Sequence, residues 1–545
     1  MKDPRLFSVF RIALMALPAI FLLYLLRFWV WFLYPLPTNA LEFTTGVLFL
    51  IWLIGIWKLQ FPRPVFSSRW HGFAVGLFLF AATIATAKIV LHLTMGRSVP
   101  LGIWKGWFMA PACYFLMLIS SFRGKKDLNL LIDTSLGLTS LTAVLMVVQY
   151  FTGMFSEITA TYDGRLVWPY LDPLSGLGTS GNYPALFLAP FLCLAVLRLI
   201  SFRESTRKWI DPLFYGACIL ALSLAIYFTK SYGSWIAIIG AASLCSFFVL
   251  QGKKRWIGVP FLALFLLVGL YVDQKSTEKF QFALDTEEQV IGSGEERMNI
   301  WAVSQDLLER DPIWGVGPGQ FQRSFERQAP DTLGREVSRK EINHALHPHN
   351  TFLMFWLSNG LLGLLSFLFL ICIWIIPLPR EWRWVLTAPL LYYLAHGLID
   401  TFYWKNDLAY NFWFIGALMT IAQNLNLVSG KVEHGIKMGR VLGFPTANIK
   451  LDLQLEKPYG VYVVHAKVDK MKRKGLLYFG PRKTDGLPEN IVCEVTLLDF
   501  EGDLYEKKVK FQIGKFIRGP MHFDSTEALQ KQIEKDVLVA RHKKL

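Results

Sequence analysis

The chain lacks two features that would assign it at once to the secreted, disulfide-linked proteins. We expect no cleavable signal peptide, because the first apolar run, Phe7–Leu36, is too long and has no small-residue cleavage site. Cysteine is scarce, with six in 545 residues, and none of the six falls in the long polar segment 273–350. We therefore expect a reduced chain without a disulfide framework.

Apolar residues are abundant but unevenly distributed. They make up 53% of the chain, aromatic residues make up 15%, and the mean hydropathy is +0.37. Residues up to about 425 contain repeated apolar runs of 17–25 residues, the length that crosses a bilayer as a helix, whereas residues 430–545 contain none. This pattern predicts a polytopic α-helical membrane protein, residues 1–428, followed by a soluble domain, residues 429–545.

Basic residues predict how the membrane part is oriented. We predict twelve transmembrane helices, at about 8–33, 41–59, 70–92, 102–121, 128–152, 183–201, 210–228, 232–250, 256–272, 351–376, 383–400 and 408–425. Seventeen Lys and Arg residues flank them on the side of the N-terminus and about five on the other side. The side with more basic residues is cytoplasmic. We therefore expect a multi-pass protein of the bacterial inner membrane, with both termini cytoplasmic and the loop 273–350 outside.

The net charge of +15 has two readings, binding to nucleic acid or the basic bias of cytoplasmic loops. The second reading fits the membrane helices, so we expect no nucleic-acid partner. Residues 430–545 hold 22 Lys and Arg against 15 Asp and Glu, a net of +7. This excess favours an anionic membrane leaflet or an anionic ligand.

The predicted outer loop contains a helix and a turn. Glu295–Arg310 repeats its apolar residues with a period near 3.6, which predicts an amphipathic helix. Ile313–Phe321 follows with three glycines and a proline, which predicts a tight turn. We expect Trp301 and Phe321 to be packing residues.

Three of the ten histidines, His344, His347 and His349, end this loop within six residues. Histidine suits general base catalysis near neutral pH. Two other readings are a metal site and ordinary interfacial histidines, and we expect no metal in the membrane domain because neither H-E-x-x-H nor a cysteine partner accompanies them. Among other ionisable residues, Asp400 has two readings, as a functional group or as a side chain that reaches the membrane surface.

The order of motifs resembles that of the O-antigen ligase and polymerase superfamily. The similar residues are Arg297 and Trp301, then D-P-I-W-G-V-G-P-G-Q-F (Asp311–Phe321), H-P-H-N-T-F-L (His347–Leu353) and N-G-L-L-G-L (Asn359–Leu364). The resemblance implies transfer of a glycan from a polyprenyl-diphosphate donor to a hydroxyl group of a glycan or lipid acceptor, outside the membrane.

The same resemblance implies roles for individual residues. His349 is the expected base and His347 a second candidate, while Asn350 orients the base or the sugar and Arg297 holds the diphosphate. The family usually carries a second arginine in a T-x-S-R-G pattern, where this chain reads T-K-S-Y-G (Thr229–Gly233). Lys230 is then the expected second cation.

The last 116 residues are predicted to form a small β-barrel closed by one helix. Gly460–Val468, Ile491–Phe500 and Lys507–Ile517 are rich in strand-forming residues and are separated by turn signals. A final helix is predicted over about Ser525–Arg541, with Ser525 as its N-cap.

This domain resembles the riboflavin kinases. Gly430–Ile449 contains the G-F-P-T-A-N run, and Cys493–Tyr505 and Phe523–Arg541 are also similar. The resemblance implies phosphorylation of riboflavin to FMN with ATP and Mg²⁺. The expected residues are Thr446 and Asn448 for the metal and the nucleotide phosphates, Glu494 as the base, and a nucleotide loop with Gly435, Gly439 and Arg440.

The sequence thus predicts two transferases in one chain, with a lipid-linked glycan, riboflavin and membrane lipids as partners. Two departures from the family patterns keep alternatives open. In the soluble domain the family's N-I-G-x-R-P-T reads Y-F-G-P-R-K-T (Tyr478–Thr484), and in the membrane domain Tyr232 stands where arginine is usual. The first alternative is a flavin- or nucleotide-binding regulatory domain without catalysis, on a polysaccharide polymerase. The second is an active riboflavin kinase on an inactive membrane scaffold.

Overall fold

A computed structural model describes residues 3–17, 40–92, 98–152, 161–162, 165–166, 182–201, 210–250, 293–425, 427–433, 446–451, 455, 457–468, 471–482, 490–500, 504, 506–523 and 525–542. These residues divide into two compact units. The first is largely helical and ends at Ala422, and the second runs from Gln423 to Leu545.

The first unit contains fifteen α-helices among the residues described. They are α1 (Pro4–Ala16), α2 (Ala40–Lys58), α3 (Arg69–His92), α4 (Ser98–Ile103), α5 (Ala110–Ser121), α6 (Lys125–Thr152), α7 (Asn182–Ile200), α8 (Ile210–Phe228), α9 (Tyr232–Val249), α10 (Ser293–Arg310), α11 (Phe321–Leu333), α12 (Arg339–His344), α13 (Thr351–Ile375), α14 (Arg380–His396) and α15 (Asn406–Asn424). A π-helical turn, Trp104–Met109, joins α4 to α5. Two antiparallel strands of two residues each, β1 (Thr161–Tyr162) and β2 (Arg165–Leu166), form a short hairpin.

Eight helical segments of the described chain are long and apolar enough to cross a membrane. They are α2, α3, the segment from α4 to α5, α6, α7, α8, α9 and α13. Each corresponds to a predicted span, so the polytopic α-helical fold class is confirmed while the number twelve is not. Two further predicted spans, 383–400 and 408–425, are the helices α14 and α15. Arg380, Glu381 and Arg383 shorten the apolar part of α14, and α15 has polar residues at both ends. Most of span 8–33 and all of span 256–272 lie outside the described residues.

Helix α13 is interrupted at Gly360, which has φ 71°. A Cβ at this position would collide with the carbonyl oxygen of Ile313, so only glycine permits this close approach. At the interruption, backbone N–H and C=O groups of α13 form hydrogen bonds with the turn that follows α10. The amide of Leu361 donates to the Ile313 carbonyl over 2.9 Å, and the amide of Gly317 donates to the Leu357 carbonyl over 3.0 Å. The predicted tight turn is therefore confirmed, and it is bonded to α13.

The helices α10, α11 and α12 share a small apolar core with the start of α13. Its buried residues are Ile300, Val303, Leu307, Leu308, Phe321, Phe325, Ala329, Ala345 and Leu357, and Trp301 packs against them. The predicted amphipathic helix is thus confirmed, as are the packing roles of Trp301 and Phe321. In α12, Ser338 and Glu341 form a reciprocal capping box. Hydrogen bonding with Arg335, together with bonds from Ser338, lowers the pKa of Glu341 to about 2 despite its partial burial.

The second unit is a closed, antiparallel, six-stranded barrel. Its strands are β3 (Leu427–Glu433), β4 (Ala447–Leu451), β5 (Gly460–Val468), β6 (Met471–Arg482), β7 (Asn490–Leu497) and β8 (Lys508–Arg518). They follow the order β3–β4–β7–β6–β5–β8, and β8 pairs again with β3. Alternate residues fill the interior, among them Val432, Ile449, Leu477, Phe479, Cys493, Val495, Val509 and Phe511.

One helix, α16 (Thr526–His542), packs on the outside of the barrel. Ser525 caps it by accepting a hydrogen bond from the amide of Ala528 over 3.1 Å, as the sequence predicted. Val537 and Ala540 contact the outward-facing Val461, Val463 and Leu476. The predicted barrel closed by one helix is confirmed.

Candidate active sites

Two loops meet at the first site, the one before α13 and the one between α14 and α15. The amide of Thr351 donates to the Gly397 carbonyl over 2.7 Å, and the hydroxyl of Thr351 donates to the Asp400 carbonyl over 3.1 Å. Asn350 caps α13 by accepting hydrogen bonds from the amides of Phe352 and Leu353, and its own amide group donates to the Leu398 carbonyl over 3.1 Å. Asn350 therefore holds the loop in place, which is a different contact from the predicted one with the base or sugar.

His349 and Asp400 form the centre of this site. The Nδ1 of His349 lies 3.6 Å from the Oδ1 of Asp400, and Asp400 is 5% exposed. This Nδ1 atom is buried and has no closer hydrogen-bond acceptor among the described residues. His349 also has φ 46°, an unusual backbone conformation for a residue with a side chain. The carboxylate is thus placed to orient the ring and to stabilise it once it accepts a proton.

Two further donors fix the carboxylate of Asp400. The amide of Thr401 donates to Oδ1 over 2.8 Å, and the side-chain amide of Asn182 donates to Oδ2 over 2.9 Å. Asp400 is buried and bonded within the protein, so its side chain does not reach the membrane surface, which was one of the two readings left open by the sequence. The sequence offered no signal for Asn182, because it lies more than two hundred residues from Asp400.

His347 lies beside His349, with 4.3 Å between the ring centroids. Burial, followed by the positive charge of neighbouring groups, lowers the pKa of His347 to about 3. The backbone amide of His349 donates to its Nδ1 over 3.3 Å, so this nitrogen is the acceptor and the ring is neutral. The hydroxyl of Thr401 lies 3.2 Å from the same atom. His347 therefore fits a positioning role better than the predicted role of second base.

Arg297 reaches the site from α10. Its positive charge contributes to the lowered pKa of His347, so the guanidinium lies within electrostatic range of this ring. The indole of Trp301, one turn further along α10, donates to the Pro348 carbonyl over 2.8 Å and ties this helix to the histidine loop. The Nε of Arg297 is buried and has no hydrogen-bond partner in the described part of the chain. A guanidinium with an unused donor suits a phosphate ligand.

Lys230 lies in the turn between α8 and α9, where it has φ 53°. The hydroxyl of the next residue, Ser231, donates to the side-chain oxygen of Asn182 over 2.8 Å, and Asn182 in turn donates to Asp400. The structure therefore connects the T-K-S-Y-G turn to the predicted base, as the sequence alone could not.

A cavity of about 720 Å³ opens beside this turn. Lys230 and Tyr232 lie in its lining, and the other walls are mainly apolar side chains of α7, α8 and α9, including Leu192, Val196, Ile200, Ile219, Phe228, Trp235, Ile238 and Ile239. A cavity whose described lining is mainly apolar and includes the cation Lys230 suits a ligand with a hydrocarbon tail and an anionic head.

His347, His349 and Asp400 are also a possible ligand set for a metal, because one ligand atom from each lies within 4.8 Å of the others. Two contacts argue for the acid–base reading instead. The Asp400 oxygens already accept two hydrogen bonds, and the positive charge of Arg297 acts on His347. Either condition weakens the attraction of the cluster for a cation.

The second site is a row of polar residues on the barrel. The strand register places Asn448 opposite Glu494 and Glu494 opposite Tyr478. Their neighbours along each strand, such as Ile449 and Cys493, point into the interior, so this row faces outward. Thr446 immediately precedes β4, two positions before Asn448. Two of the predicted residues, Asn448 and Glu494, are thus brought together, while Gly435, Gly439 and Arg440 lie outside the described residues.

Tyr478 stands where the riboflavin kinase pattern has asparagine, and its contacts show the role of the tyrosine side chain here. Its hydroxyl donates to the Pro481 carbonyl over 2.7 Å, and its ring packs against the apolar cluster beneath α16. The residue that replaces the family's asparagine therefore stabilises the end of β6 and its contact with the helix.

Comparison with known families finds one match in each of two parts of the chain. A profile of the O-antigen ligase family matches residues 217–368, and a profile of the riboflavin kinase family matches residues 424–544. The chain carries an O-antigen ligase domain followed by a riboflavin kinase domain. The first match includes Lys230, Arg297 and the histidine loop, whereas Asp400 and Asn182 lie outside it. Both families are transferases, glycosyltransferase-like and phosphotransferase respectively.

The riboflavin kinase domain has several characterised relatives. The chain is 38% identical over 114 residues to a bifunctional riboflavin kinase/FMN adenylyltransferase of Pseudomonas fluorescens, covering 21% of this chain and 37% of the relative. It is 37% identical over 113 residues to the RNA-binding riboflavin kinase RibR of Bacillus subtilis, covering 21% of this chain and 49% of the relative. The corresponding Haemophilus influenzae bifunctional enzyme is 39% identical over 116 residues, which are 21% of this chain and 37% of that enzyme. The chain thus spans less than half the length of each.

Among solved structures, the macrolide-efflux protein from Streptococcus pneumoniae is 33% identical over 22% of this chain and 39% of its own. The TM-score is 0.20, which is too low to support a structural argument.

Proposed function

We propose that the O-antigen ligase domain transfers a glycan from a polyprenyl-diphosphate donor to a hydroxyl group of a glycan or lipid acceptor. The observation that carries this proposal is the pairing of His349 with Asp400, beside His347, on which the charge of Arg297 acts. A base and a cation on the two sides of one sugar are the groups that this transfer requires. The cavity beside Lys230 supplies space for the apolar chain of the donor.

The reaction is a displacement at the anomeric carbon of the donor sugar. The acceptor hydroxyl forms a new bond to this carbon and gives its proton to His349, and the bond from the carbon to the diphosphate oxygen breaks. Asp400 stabilises the protonated ring. Arg297 and Lys230 hold the negative charge of the released polyprenyl diphosphate, the arginine through paired donors and the lysine as a point charge.

A comparison of two histidine variants tests this assignment. A general base contributes about 10²- to 10⁴-fold to the rate, so we expect His349→Ala to lower release of polyprenyl diphosphate by at least about 10²-fold. His344→Ala is the matched control, since His344 is in the same loop but contacts Glu296 at the surface. Equal activity of the two variants would contradict the assignment of the base.

We place the ligase domain in the bacterial inner membrane, with the histidine loop outside and both termini in the cytoplasm. The support is the excess of basic residues on one side of the predicted helices. Cysteine introduced at Arg339, an exposed position of α12, tests the placement. An impermeant thiol reagent added to intact spheroplasts labels this cysteine if the loop is outside and leaves it unlabelled if it is inside.

We propose that the second domain phosphorylates riboflavin to FMN with ATP in the cytoplasm. The row of Asn448 and Glu494 on adjacent strands supports this proposal. Thr446 and Asn448 offer the hydroxyl and amide oxygens that suit Mg²⁺, and the metal would neutralise the charge of the nucleotide phosphates there. Glu494 would accept the proton of the ribityl hydroxyl as its oxygen attacks the terminal phosphorus of ATP.

The test is FMN formation by the full-length protein with riboflavin, ATP and Mg²⁺. We expect Glu494→Gln to lower the rate at least about 10²-fold, because the amide cannot accept the proton. Glu527→Gln, in the exposed first turn of α16, should leave the rate unchanged. Flavin or nucleotide binding by the unaltered protein without FMN formation would instead support a regulatory domain.

A further inference from the structure

Helix α9 begins at a serine that does not cap it. Ser231 is the N-cap residue, yet its side chain accepts no hydrogen bond from the amides of the first turn. A serine at this position usually accepts such a bond. Its hydroxyl lies instead 2.8 Å from the side-chain oxygen of Asn182 and 3.0 Å from the hydroxyl of Ser234, and Ser231 is 3% exposed. This serine therefore connects α9 to the start of α7.

The contacts continue from Ser234 to the end of α14. The hydroxyls of Ser234 and Tyr392 are 3.1 Å apart, and the Tyr392 hydroxyl lies 2.9 Å from the Nδ1 of His396, one turn further along α14. These three side chains are at most 1% exposed. The backbone carbonyl of His396 accepts a hydrogen bond from the amide of Asp400 over 3.0 Å. Since Asn182 donates to the Asp400 carboxylate, the contacts form a closed loop. We call its members the Asp400 network, namely Asp400, Asn182, Ser231, Ser234, Tyr392 and His396.

The carboxylate sets the direction of proton donation in the Asp400 network. An ionised carboxylate only accepts hydrogen bonds, so Asn182 turns its NH₂ group toward Asp400 and its carbonyl oxygen toward Ser231. This oxygen also only accepts, so Ser231 donates to it. A hydroxyl has one hydrogen, so Ser231 must accept from Ser234. Each assignment thus follows from the one before it.

The same rule assigns the hydrogen of His396. Ser234 has already donated its only hydrogen, so it accepts from the Tyr392 hydroxyl, and Tyr392 in turn accepts from the Nδ1 of His396. The imidazole therefore carries a hydrogen on Nδ1. In this arrangement every side-chain contact of the Asp400 network is a hydrogen bond directed toward the carboxylate, and bonds aligned in this way strengthen one another.

We propose that four buried side chains position the carboxylate of Asp400 beside the ring of His349 during glycosyl transfer. They are Ser231, Ser234, Tyr392 and His396. They act through Asn182 and Asp400 and do not touch the reacting atoms. Because Ser231 follows Lys230 directly, the same bonds also fix the turn that carries the proposed cation. The effect on rate rests on the proposed glycosyl transfer, whereas the hold on Asp400 can be measured without it.

The first experiment compares Tyr392→Phe with Thr387→Val in the full-length protein. Both changes remove a buried hydroxyl from α14 and keep the shape of the side chain, but the hydroxyl of Thr387 has no hydrogen-bond partner in the described part of the chain. We expect Tyr392→Phe to lower kcat for polyprenyl diphosphate release about tenfold, which corresponds to about 1.4 kcal/mol and to the loss of one hydrogen bond. The KM for the donor should stay the same, and Thr387→Val should change neither constant.

Two further comparisons separate a positioning role from a purely structural one. Ser231→Ala should lower kcat at least as much as Tyr392→Phe, and Ser231→Thr should restore it, because threonine keeps the hydroxyl. In an Asp400→Asn protein, Tyr392→Phe should cause no further loss, since residues that act through one group are not additive. A tenfold loss in both backgrounds would overturn the proposal.

Hydrogen exchange tests the hold on Asp400 without any transfer reaction. The amide of Thr401 donates to the Asp400 carboxylate over 2.8 Å, so its exchange reports how firmly the carboxylate is held. Measured by mass spectrometry, exchange at Thr401 should rise about tenfold in Tyr392→Phe and in Ser231→Ala and stay unchanged in Thr387→Val. Unchanged exchange in the first two variants would overturn the proposal. Faster exchange, together with an unaltered protein that releases no polyprenyl diphosphate, would instead refute the proposed transfer and retain the network.

Discussion

Replacement of Asp400 by asparagine isolates the electrostatic part of the proposed glycosyl transfer. The side chain keeps its shape and loses its charge beside the Nδ1 of His349, 3.6 Å away. At that separation the attraction to a protonated ring is about 5 kcal/mol for an effective dielectric constant of about 20, and about 1 kcal/mol in water. Asp400 is 5% exposed, so the larger value is closer to its surroundings. We expect Asp400→Asn to lower kcat by about 10²- to 10³-fold.

The expected loss has a kinetic signature. The imidazolium exists only while the proton is transferred, so kcat and kcat/KM should fall by the same factor. The assay is release of polyprenyl diphosphate from a lipid-linked glycan by the purified protein, with native membranes as the source of acceptor. Asp407→Asn is the matched control, because Asp407 is equally buried and accepts a hydrogen bond from Tyr183 instead of facing the histidines. A kcat within about threefold of the wild-type value in a folded Asp400→Asn protein would refute the reasoning.

Three further predictions concern the same domain. Gly360→Ala should destabilise it by at least about 1–2 kcal/mol, measured as a lower Tm, because φ is 71° and a Cβ would meet the Ile313 carbonyl. Lys230→Ala should raise the KM for the donor about tenfold with little change in kcat, and Lys230→Arg should restore it if the residue acts as a cation. Since burial lowers the pKa of His347 to about 3, the unfolded chain takes up the proton first as the pH falls through about 6.5. The domain should therefore lose about 1 kcal/mol between about pH 7 and pH 5.5, and thermal unfolding of His347→Gln should lack this loss.

Features set by local sequence periodicity could be predicted well. The amphipathic pattern of Glu295–Arg310 gave a helix whose apolar side is the buried side, and Ser525 caps α16 as its position suggested. These successes share one cause, because helix periodicity and capping depend on residues only a few positions apart. The predicted spans with an uninterrupted apolar run are helices long and apolar enough to cross a membrane. The helices α14 and α15 do not meet that description, because they contain charged and polar residues.

The contacts that complete the glycosyl-transfer site could not be predicted in this way. Asp400 is fifty-one residues after His349 and Asn182 is more than two hundred residues before Asp400, and no local pattern joins positions so far apart. The interruption of α13 at Gly360 could not be predicted either, because it depends on a contact with a distant residue. Its Asn-Gly sequence lies in an apolar helix, and only the approach of the Ile313 carbonyl shows why glycine is required there.

The two departures from family patterns have different physical consequences. At Tyr232 the family's arginine is lost, but the chain retains Arg297 with an unused buried donor and adds a cation at Lys230, two positions earlier. A phosphate that two arginine guanidinium groups would hold in other family members would here be held by one guanidinium group and one lysine ammonium group. The ring of Tyr232 lies in the wall of the cavity. Tyr478, by contrast, is bonded to Pro481 and packed beneath α16. The first change alters how a leaving group is held, whereas the second strengthens the barrel and leaves Glu494 opposite Asn448.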